Sequence, residues 1–110
     1  MDKLLEFVMQ VADDKLAQDM VVLDFRWQSA FTDYFIIASS FNEQHASAIV
    51  DEVEAMALNA GYDVIVKDKQ KGSGWFLIDI EGVVLHVFYN NQRSYYGLEE
   101  LWKDLLIQKK

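Results

Sequence analysis

The chain has 110 residues, of which 52% are hydrophobic and 14% aromatic. This length suits one compact domain, residues 1–110, and this much apolar surface offsets the conformational entropy lost on folding, which excludes intrinsic disorder. There is no cysteine, which excludes disulfides and thiolate chemistry. No apolar run approaches the ~20 residues of a membrane span, and we therefore expect a cytoplasmic protein without membrane contact.

The formal net charge of −8 is unevenly distributed. Residues 1–63 hold 12 of the 18 acidic residues and three basic ones, whereas residues 64–110 hold six acidic and seven basic residues. Broad contact with nucleic acid phosphates requires lysine and arginine, so the composition argues against a nucleic-acid-binding protein. The acidic half suits a basic partner or simple solubility, and charge alone favours solubility.

The first part of the chain predicts a helix followed by two strands. Apolar residues recur at helical spacing from Leu4 to Leu16, with polar residues on the opposite side. Residues 20–25 and 34–38 are short runs rich in β-branched and aromatic side chains, bounded by polar residues. Such runs are typical of β-strands.

The central part predicts a second helix and a third strand. An apolar stripe runs from Ala46 to Ala60, with Asn42 available as N-cap and Gly61 placed to end the helix. Residues 62–66 predict a strand, and the polar, glycine-containing segment 67–74 predicts a loop.

The last part predicts a β-hairpin and a final helix. Strands at residues 75–80 and 83–88 flank Glu81-Gly82, which fits a tight turn with glycine supplying positive φ. The final helix would bury the stripe Leu98, Leu101, Trp102, Leu105 and Leu106. The order α-β-β-α-β-β-β-α predicts an α/β sandwich with one mixed five-stranded sheet flanked by helices.

Antiparallel pairing across the hairpin sorts its side chains onto two faces. The face expected to pack on the core is wholly apolar: Phe76, Ile78, Ile80, Val83, Leu85 and Val87. The other face mixes aromatic and polar groups: Trp75, Leu77, Asp79, Val84, His86 and Phe88. Such a face suits a protein interface, although from these strands alone a covering helix is the more common explanation.

Enzyme signatures are weak. Gly72-Ser73-Gly74 followed by Asp79 and Glu81 invites comparison with nucleotidyltransferases, whose metal site uses two carboxylates beyond a Gly-Ser turn. Only five residues separate Ser73 from Asp79, which is too few for that arrangement, and Glu81 falls in the predicted turn. The two histidines, His45 and His86, lack metal-ligand spacing, so we predict neither a metal site nor a cofactor.

Three blocks of sequence carry a specific resemblance. They are residues 22–26 leading into 32–39, residues 74–79 with 84–88, and residues 93–102, which are similar to the closing pattern R-x-[FL]-Y-x-L-E-x-L-W. At these separations the chain resembles the ribosome silencing factor family, RsfS or Iojap, across nearly its whole length.

The resemblance implies a nucleotidyltransferase-like α/β fold without catalytic carboxylates, and therefore not an enzyme. Family members dock on a basic patch of the large-subunit ribosomal protein numbered fourteen. That patch lies at the subunit interface, so docking blocks joining with the small subunit and represses translation when nutrients are scarce. A role in large-subunit assembly and, less strongly, a nucleotidyltransferase activity remain alternatives, and the chain is expected to be a monomer or a homodimer.

The resemblance also implies the partner-binding residues. Trp75 and Tyr96 carry over as anchors, because buried aromatics dominate interface energetics, and the expected supports are Asp79, His86, Arg93 and Glu99. The sequence departs from the family at Ser40–His45, where Gly-Thr-Ser-Asn-Arg-Gln is usual, and at Gly97, where a polar residue is usual. The cluster Lys67, Lys69 and Lys71 is a candidate for minor contact with ribosomal RNA, with a solvated loop favoured.

Overall fold

The computed structural model describes residues 2–109. The helices among them are α1 (Lys3–Asp14), α2 (Glu43–Asn59), α3 (Gln92–Tyr96), α4 (Leu98–Leu101) and a 3-10 turn at Lys103–Leu105. The strands are β1 (Gln18–Asp24), β2 (Tyr34–Ser39), β3 (Val64–Asp68), β4 (Trp75–Ile80), β5 (Val83–Phe88) and β6 (Leu106–Lys109). None of these helices has the length and apolar character needed to cross a bilayer.

All six strands form one mixed sheet in the order β3-β4-β5-β2-β1-β6. The central pair, β2 and β5, is parallel, and the other pairs are antiparallel. A parallel pair needs a crossover, which α2 and the β3–β4 hairpin supply. The predicted mixed α/β architecture is confirmed, and the predicted count of five strands is wrong by one.

The main core lies between one face of the sheet and the two long helices. α1 is capped by the Asp2 carboxylate, and α2 is capped by Asn42, whose side chain accepts from the His45 N–H at 2.8 Å. Gly61 follows α2 with φ of 90°, as predicted for a helix end. Leu16 lies outside α1 and is exposed, so that helix ends two residues earlier than its apolar pattern indicates.

The β4–β5 hairpin has the predicted register, pairing Trp75 with Phe88 and each following residue with its expected partner. Both turn residues, Glu81 and Gly82, have positive φ. This is the pattern of type I′ turns, whose backbone twist matches the twist of the flanking strands. The six residues of the predicted core face are all buried. β3 begins at Val64, two residues later than predicted.

The predicted final helix is wrong. Gly97 adopts a left-handed conformation with φ of 61° and ends α3, after which only one turn of α4 and a 3-10 turn follow. Leu106 then pairs with Leu23 as part of β6, and Leu101 is 68% exposed. An apolar run such as Leu105-Leu106-Ile107 fits a strand as well as a helix, and here the open edge of β1 provides hydrogen-bond partners.

The C-terminal segment nevertheless covers part of the second face of the sheet. Leu98, Trp102 and Leu105 pack on a small cluster formed by Val21, Leu23, Phe25, Ile37 and Phe88. Because this cover lies over β1 and β2, the same face of β3 and β4 is left more open. Trp75 and Asp79, two of the predicted binding residues, lie on that more open area.

Candidate protein-binding face

Two aromatic rings dominate the open part of the second face. The Trp75 ring lies 4.7 Å from the Tyr96 ring and 5.2 Å from the Phe88 ring, centroid to centroid. Phe88 is buried, whereas Trp75 is half-buried and Tyr96 is 41% exposed. The indole and the phenol therefore rest on the sheet without being sealed inside the domain, and both remain available to a partner.

The position of Trp75 is fixed by three hydrogen bonds. Its backbone N–H donates to the Ser73 hydroxyl oxygen at 3.1 Å, and that hydroxyl donates to the Trp75 carbonyl at 2.9 Å. Its indole Nε1–H donates to Nδ1 of His86 at 3.1 Å. A large side chain that is held in one rotamer before binding loses less conformational entropy on association, which favours its use as an anchor.

His86 lies beneath the indole and is 4% exposed. Its ring contacts the ring of Phe35 edge to face at 4.3 Å. Burial disfavours the imidazolium and lowers the pKa of His86 to about 4. The ring is therefore neutral near pH 7, and because Nδ1 accepts from Trp75 the proton lies on Nε2, which has no hydrogen-bond partner within residues 2–109.

Tyr96 is positioned by the short helix α3, which Arg93 fastens to the sheet. The guanidinium of Arg93 donates to the Ser39 hydroxyl at 2.9 Å and to the Asp19 carbonyl at 2.7 Å, and it forms an ion pair with Glu99. The Arg93 side chain is only 15% exposed. Arg93 and Glu99 thus hold the segment that carries Tyr96, and their role as supports at a partner interface stays a prediction.

Asp79 is not brought together with the two aromatic anchors. It lies four residues along β4 from Trp75, a distance of about 13 Å in an extended strand. Its carboxylate accepts from the Gly82 N–H at 2.9 Å and so stabilises the hairpin turn. Of the six predicted site residues, the structure groups Trp75, His86 and Tyr96 directly, links Arg93 and Glu99 to them through α3, and places Asp79 at the opposite end of the strand.

The carboxylates considered for metal binding already accept hydrogen bonds from backbone N–H groups. Glu81 lies in the turn and accepts from the Asp63 N–H at 2.8 Å, while Asp79 accepts from Gly82. Within the part of the chain that the structure describes, no group of three or more histidine or acidic side chains is placed to hold a metal ion. The geometry gives no support to the nucleotidyltransferase alternative.

Two of the three lysines considered for RNA contact are engaged within the domain. Lys67 forms ion pairs with Glu54 at 2.6 Å and Asp51 at 3.0 Å. Lys69 pairs with the same Asp51 at 2.7 Å. These contacts join the end of β3 and the start of the β3–β4 loop to α2.

The structure adds site residues that the sequence did not indicate. A shallow cavity of about 280 Å³ opens beside the anchors and is lined by Asp68, Gln70, Ser73, Trp75, Leu77 and Tyr96. Asp68 reaches this site because it pairs with Leu77 across β3 and β4. Only the pairing of β3 with β4 shows that Asp68 reaches the site. The sequence did not indicate this pairing for Asp68, because the predicted strand, residues 62–66, ends before it.

Comparison with known proteins identifies related chains across the whole domain. A family described as "Ribosomal silencing factor during starvation" matches residues 1–110. The ribosomal silencing factor RsfS of Bacillus subtilis is 36% identical over 101 residues, which is 92% of this chain and 86% of that protein. A mouse protein named "Mitochondrial assembly of ribosomal large subunit protein 1" is 32% identical over 89 residues, covering 78% of this chain and 39% of its own length. A crystal structure from Bacillus halodurans superposes with a TM-score of 0.84 at 31% identity, covering 98% of this chain and 99% of that one.

Proposed function

The chain belongs to the ribosomal silencing factor family, and on that premise we propose that it binds the large ribosomal subunit, blocks joining with the small subunit and represses translation when nutrients are limiting. The observation that carries the proposal is the pair Trp75 and Tyr96. Their rings are in contact, held by Ser73, His86 and α3, and left accessible on the face of the sheet opposite α1 and α2.

The proposed docking partner is the large-subunit ribosomal protein numbered fourteen, through its basic patch. Trp75 and Tyr96 supply the apolar contact, and Asp68 lies beside them in the same cavity. The surrounding protein is acidic, with a net charge of −8, which favours encounter with a cationic surface and predicts that association slows as salt rises. Inhibition is steric, because this chain, once bound at the subunit interface, prevents the small subunit from binding there.

Sedimentation with purified large subunits tests the proposal. The unaltered protein should sediment with large subunits and shift a subunit mixture toward separated particles. The double variant Trp75→Ala with Tyr96→Ala should lose both effects, because both anchors are removed. Phe41→Ala is the matched control, since it also removes an exposed ring, 66% accessible, which stacks on His45 rather than on either anchor.

Two results would contradict the proposal. One is unchanged subunit joining in the presence of a molar excess of the unaltered protein. The other is sedimentation of the double variant that equals that of the Phe41→Ala control. The mass of the free protein should be measured at the same concentration, because a homodimer formed through Trp75 would hide the anchors and lower the apparent affinity.

A role in large-subunit assembly is the second candidate, favoured by the name of the mouse relative. In this role the protein would use the same docking face, but during maturation of the large subunit rather than during starvation. Cells lacking the protein should then accumulate immature large-subunit particles during rapid growth. A silencing role instead predicts normal particles during growth and an excess of joined ribosomes during starvation, so gradient profiles under the two conditions separate the candidates.

We also propose that the protein acts without catalysis. Asp79 and Glu81 already accept hydrogen bonds from backbone N–H groups at the hairpin turn. Calorimetric titration with nucleoside triphosphate and Mg²⁺ should therefore give no heat beyond dilution. Saturable binding that disappears in Asp79→Asn would return the nucleotidyltransferase alternative to consideration.

A further inference from the structure

A second exposed aromatic pair lies far from Trp75 and Tyr96. Trp27 and Phe31, in the loop between β1 and β2, are 89% and 90% exposed. This loop lies against the β4–β5 turn, because the N–H groups of Asp33 and Tyr34 both donate to the Gly82 carbonyl. Trp75 begins β4 and the turn ends it, which separates the two aromatic pairs by about 17 Å along the sheet.

The loop holds both rings outward with an ordered backbone. The Phe25 carbonyl accepts from the N–H groups of Gln28 and Ser29 at 2.9 and 3.0 Å. The Ser29 hydroxyl oxygen accepts from the N–H groups of Phe31 and Thr32, both at 3.1 Å. Two large rings presented by a preorganised loop provide contact area at a low entropic cost.

Acidic side chains lie at the hairpin turn against which this aromatic loop packs. The Asp33 carboxylate and the Phe31 carbonyl both lie within 3.4 Å of the position that a side chain on Gly82 would occupy, so they crowd the hairpin turn. Asp79 and Glu81 belong to the same turn, and Glu81 also bonds to the backbone of Asp63.

No cation within residues 2–109 forms an ion pair with Asp33, Asp79 or Glu81. The nearest basic residue in the loop, Arg26, is paired with Asp24 at 2.8 Å. The hairpin turn beside the aromatic loop therefore carries negative charge that no ion pair within the described residues compensates.

We propose that Trp27, Phe31 and the carboxylates of Asp33, Asp79 and Glu81 form a second docking surface, which binds a basic protein segment. Arginine or lysine side chains stack their cationic heads and apolar stems on the two rings, where the ring quadrupole attracts them. Each of these carboxylates has acceptor positions beyond any backbone bond it already makes, so it can also accept a hydrogen bond from such a cation. This surface is separate from the Trp75 and Tyr96 face. Its proposed binding of a basic segment does not depend on the function proposed for the Trp75 and Tyr96 face.

Charge selects this partner over three others. Nucleic acid and anionic lipid are repelled by the carboxylates, because both present phosphate. A second copy of the chain placed symmetrically on the loop would bring two acidic borders together without a compensating cation. A basic protein segment is complementary to both the charge and the exposed rings.

The indole resonances of the folded chain report the site directly. The sequence holds three tryptophans, at positions 27, 75 and 102. Titrating the isotopically labelled full chain with a short synthetic peptide of arginine, lysine and leucine should shift the Trp27 indole N–H signal most, and the effect should weaken with added salt. A peptide with glutamate in place of the basic residues should leave all three signals in place.

Variants assign the contribution of each group. Trp27→Ala with Phe31→Ala should weaken peptide binding at least about tenfold, and folding should be preserved because both rings are exposed. Asp33→Asn with Glu81→Gln should weaken binding and reduce its salt dependence. Phe41→Ala should bind the peptide as the unaltered chain does.

Four outcomes would overturn the proposal. The first is that the peptide shifts only the Trp75 signal, and the second is that the acidic peptide binds equally well. The third is that the Trp27 signal moves with protein concentration in the absence of peptide. The fourth is that the protein sediments with anionic vesicles through Trp27. The third outcome would assign the loop to self-association and the fourth to a membrane surface. Loss of large-subunit binding in Trp75→Ala with Tyr96→Ala would be a separate result, since that variant keeps the Trp27 loop.

Discussion

The indole N–H of Trp75 has one acceptor, Nδ1 of His86, at 3.1 Å on the neighbouring strand. The two residues are diagonal neighbours, since Trp75 pairs with Phe88 and His86 pairs with Leu77. This bond requires a neutral imidazole with its proton on Nε2, because an imidazolium has no lone pair to accept with. The orientation of the proposed anchor is thus linked to the protonation of a buried histidine.

Stability should fall between pH 6.5 and pH 4 because of His86. Its pKa drops from 6.5 to about 4 in the folded chain, so the unfolded chain takes up a proton in this interval while the folded chain does not. The stability contribution is complete above pH 6.5 and is lost as the pH falls toward 4. The loss should reach about 3 kcal/mol of unfolding free energy.

Urea unfolding at several pH values, comparing the unaltered chain with His86→Gln, measures this contribution. Glutamine keeps an acceptor for the indole and does not titrate, so the difference between the two proteins isolates the histidine from the many carboxylates. Parallel pH profiles for the two proteins would show that His86 does not titrate as its burial indicates.

Arg93→Ala should destabilise the fold and loosen Tyr96. The variant removes two hydrogen bonds, to Ser39 and Asp19, and the ion pair with Glu99. Because the guanidinium is largely buried, we expect a loss of about 2 kcal/mol. Amide hydrogen exchange should become faster in residues 92–101 first.

Arg26→Ala is the matched control for that experiment. Arg26 also forms an ion pair with a carboxylate, Asp24, but its side chain is 52% exposed, so its removal should change stability much less. Equal losses for the two arginines would show that the three contacts of Arg93 do not hold α3 in place.

The sequence predicted the hairpin and the long helices well because each depends on a local and strongly periodic signal. Alternation over residues 75–88 fixes which side chains face the core, and Glu81-Gly82 sets the register, so every predicted pair is found. The cap Asn42 and the terminator Gly61 act within one turn of their helix. The anchors Trp75 and Tyr96 came from resemblance, and no local pattern identified them.

The C-terminal segment was beyond such reasoning because its structure is decided by a distant partner. Leu106 becomes a strand residue through pairing with Leu23 in β1, far away in the sequence. The engagement of Lys67 and Lys69 by α2 is equally non-local. The sequence did not predict the two exposed rings of the Trp27 loop, since exposure of an aromatic residue is not visible in a sequence.

Substitutions in the C-terminal segment distinguish the observed turns from a continuous helix. Leu101→Ala should change the unfolding free energy by less than about 0.5 kcal/mol, because Leu101 is exposed. Trp102→Ala should cost about 2 kcal/mol, since its ring packs on Phe25 at 5.2 Å. Gly97→Ala should cost about 1 kcal/mol through its left-handed backbone.

If this segment were one continuous amphipathic helix, the changes in unfolding free energy for Leu101→Ala and Gly97→Ala would differ from these values. Leu101 would then be a buried stripe residue with a large cost, and Gly97→Ala would cost little, because the residue that precedes a helix ordinarily has no left-handed backbone. Chemical unfolding of the three variants under one condition decides between the two arrangements, without reference to any binding partner.

Neutralising Lys67 and Lys69 should lower stability and leave large-subunit binding nearly unchanged. Both ammonium groups are paired with carboxylates of α2, so they are not free to contact RNA phosphate. For Lys67→Gln with Lys69→Gln we expect affinity within about twofold of the unaltered chain and an unchanged salt slope, because no phosphate contact is lost. Lys103→Gln is the control, since Lys103 is an exposed lysine outside this network. A shallower salt slope in the double variant alone would show that the two lysines leave α2 to contact ribosomal RNA on docking.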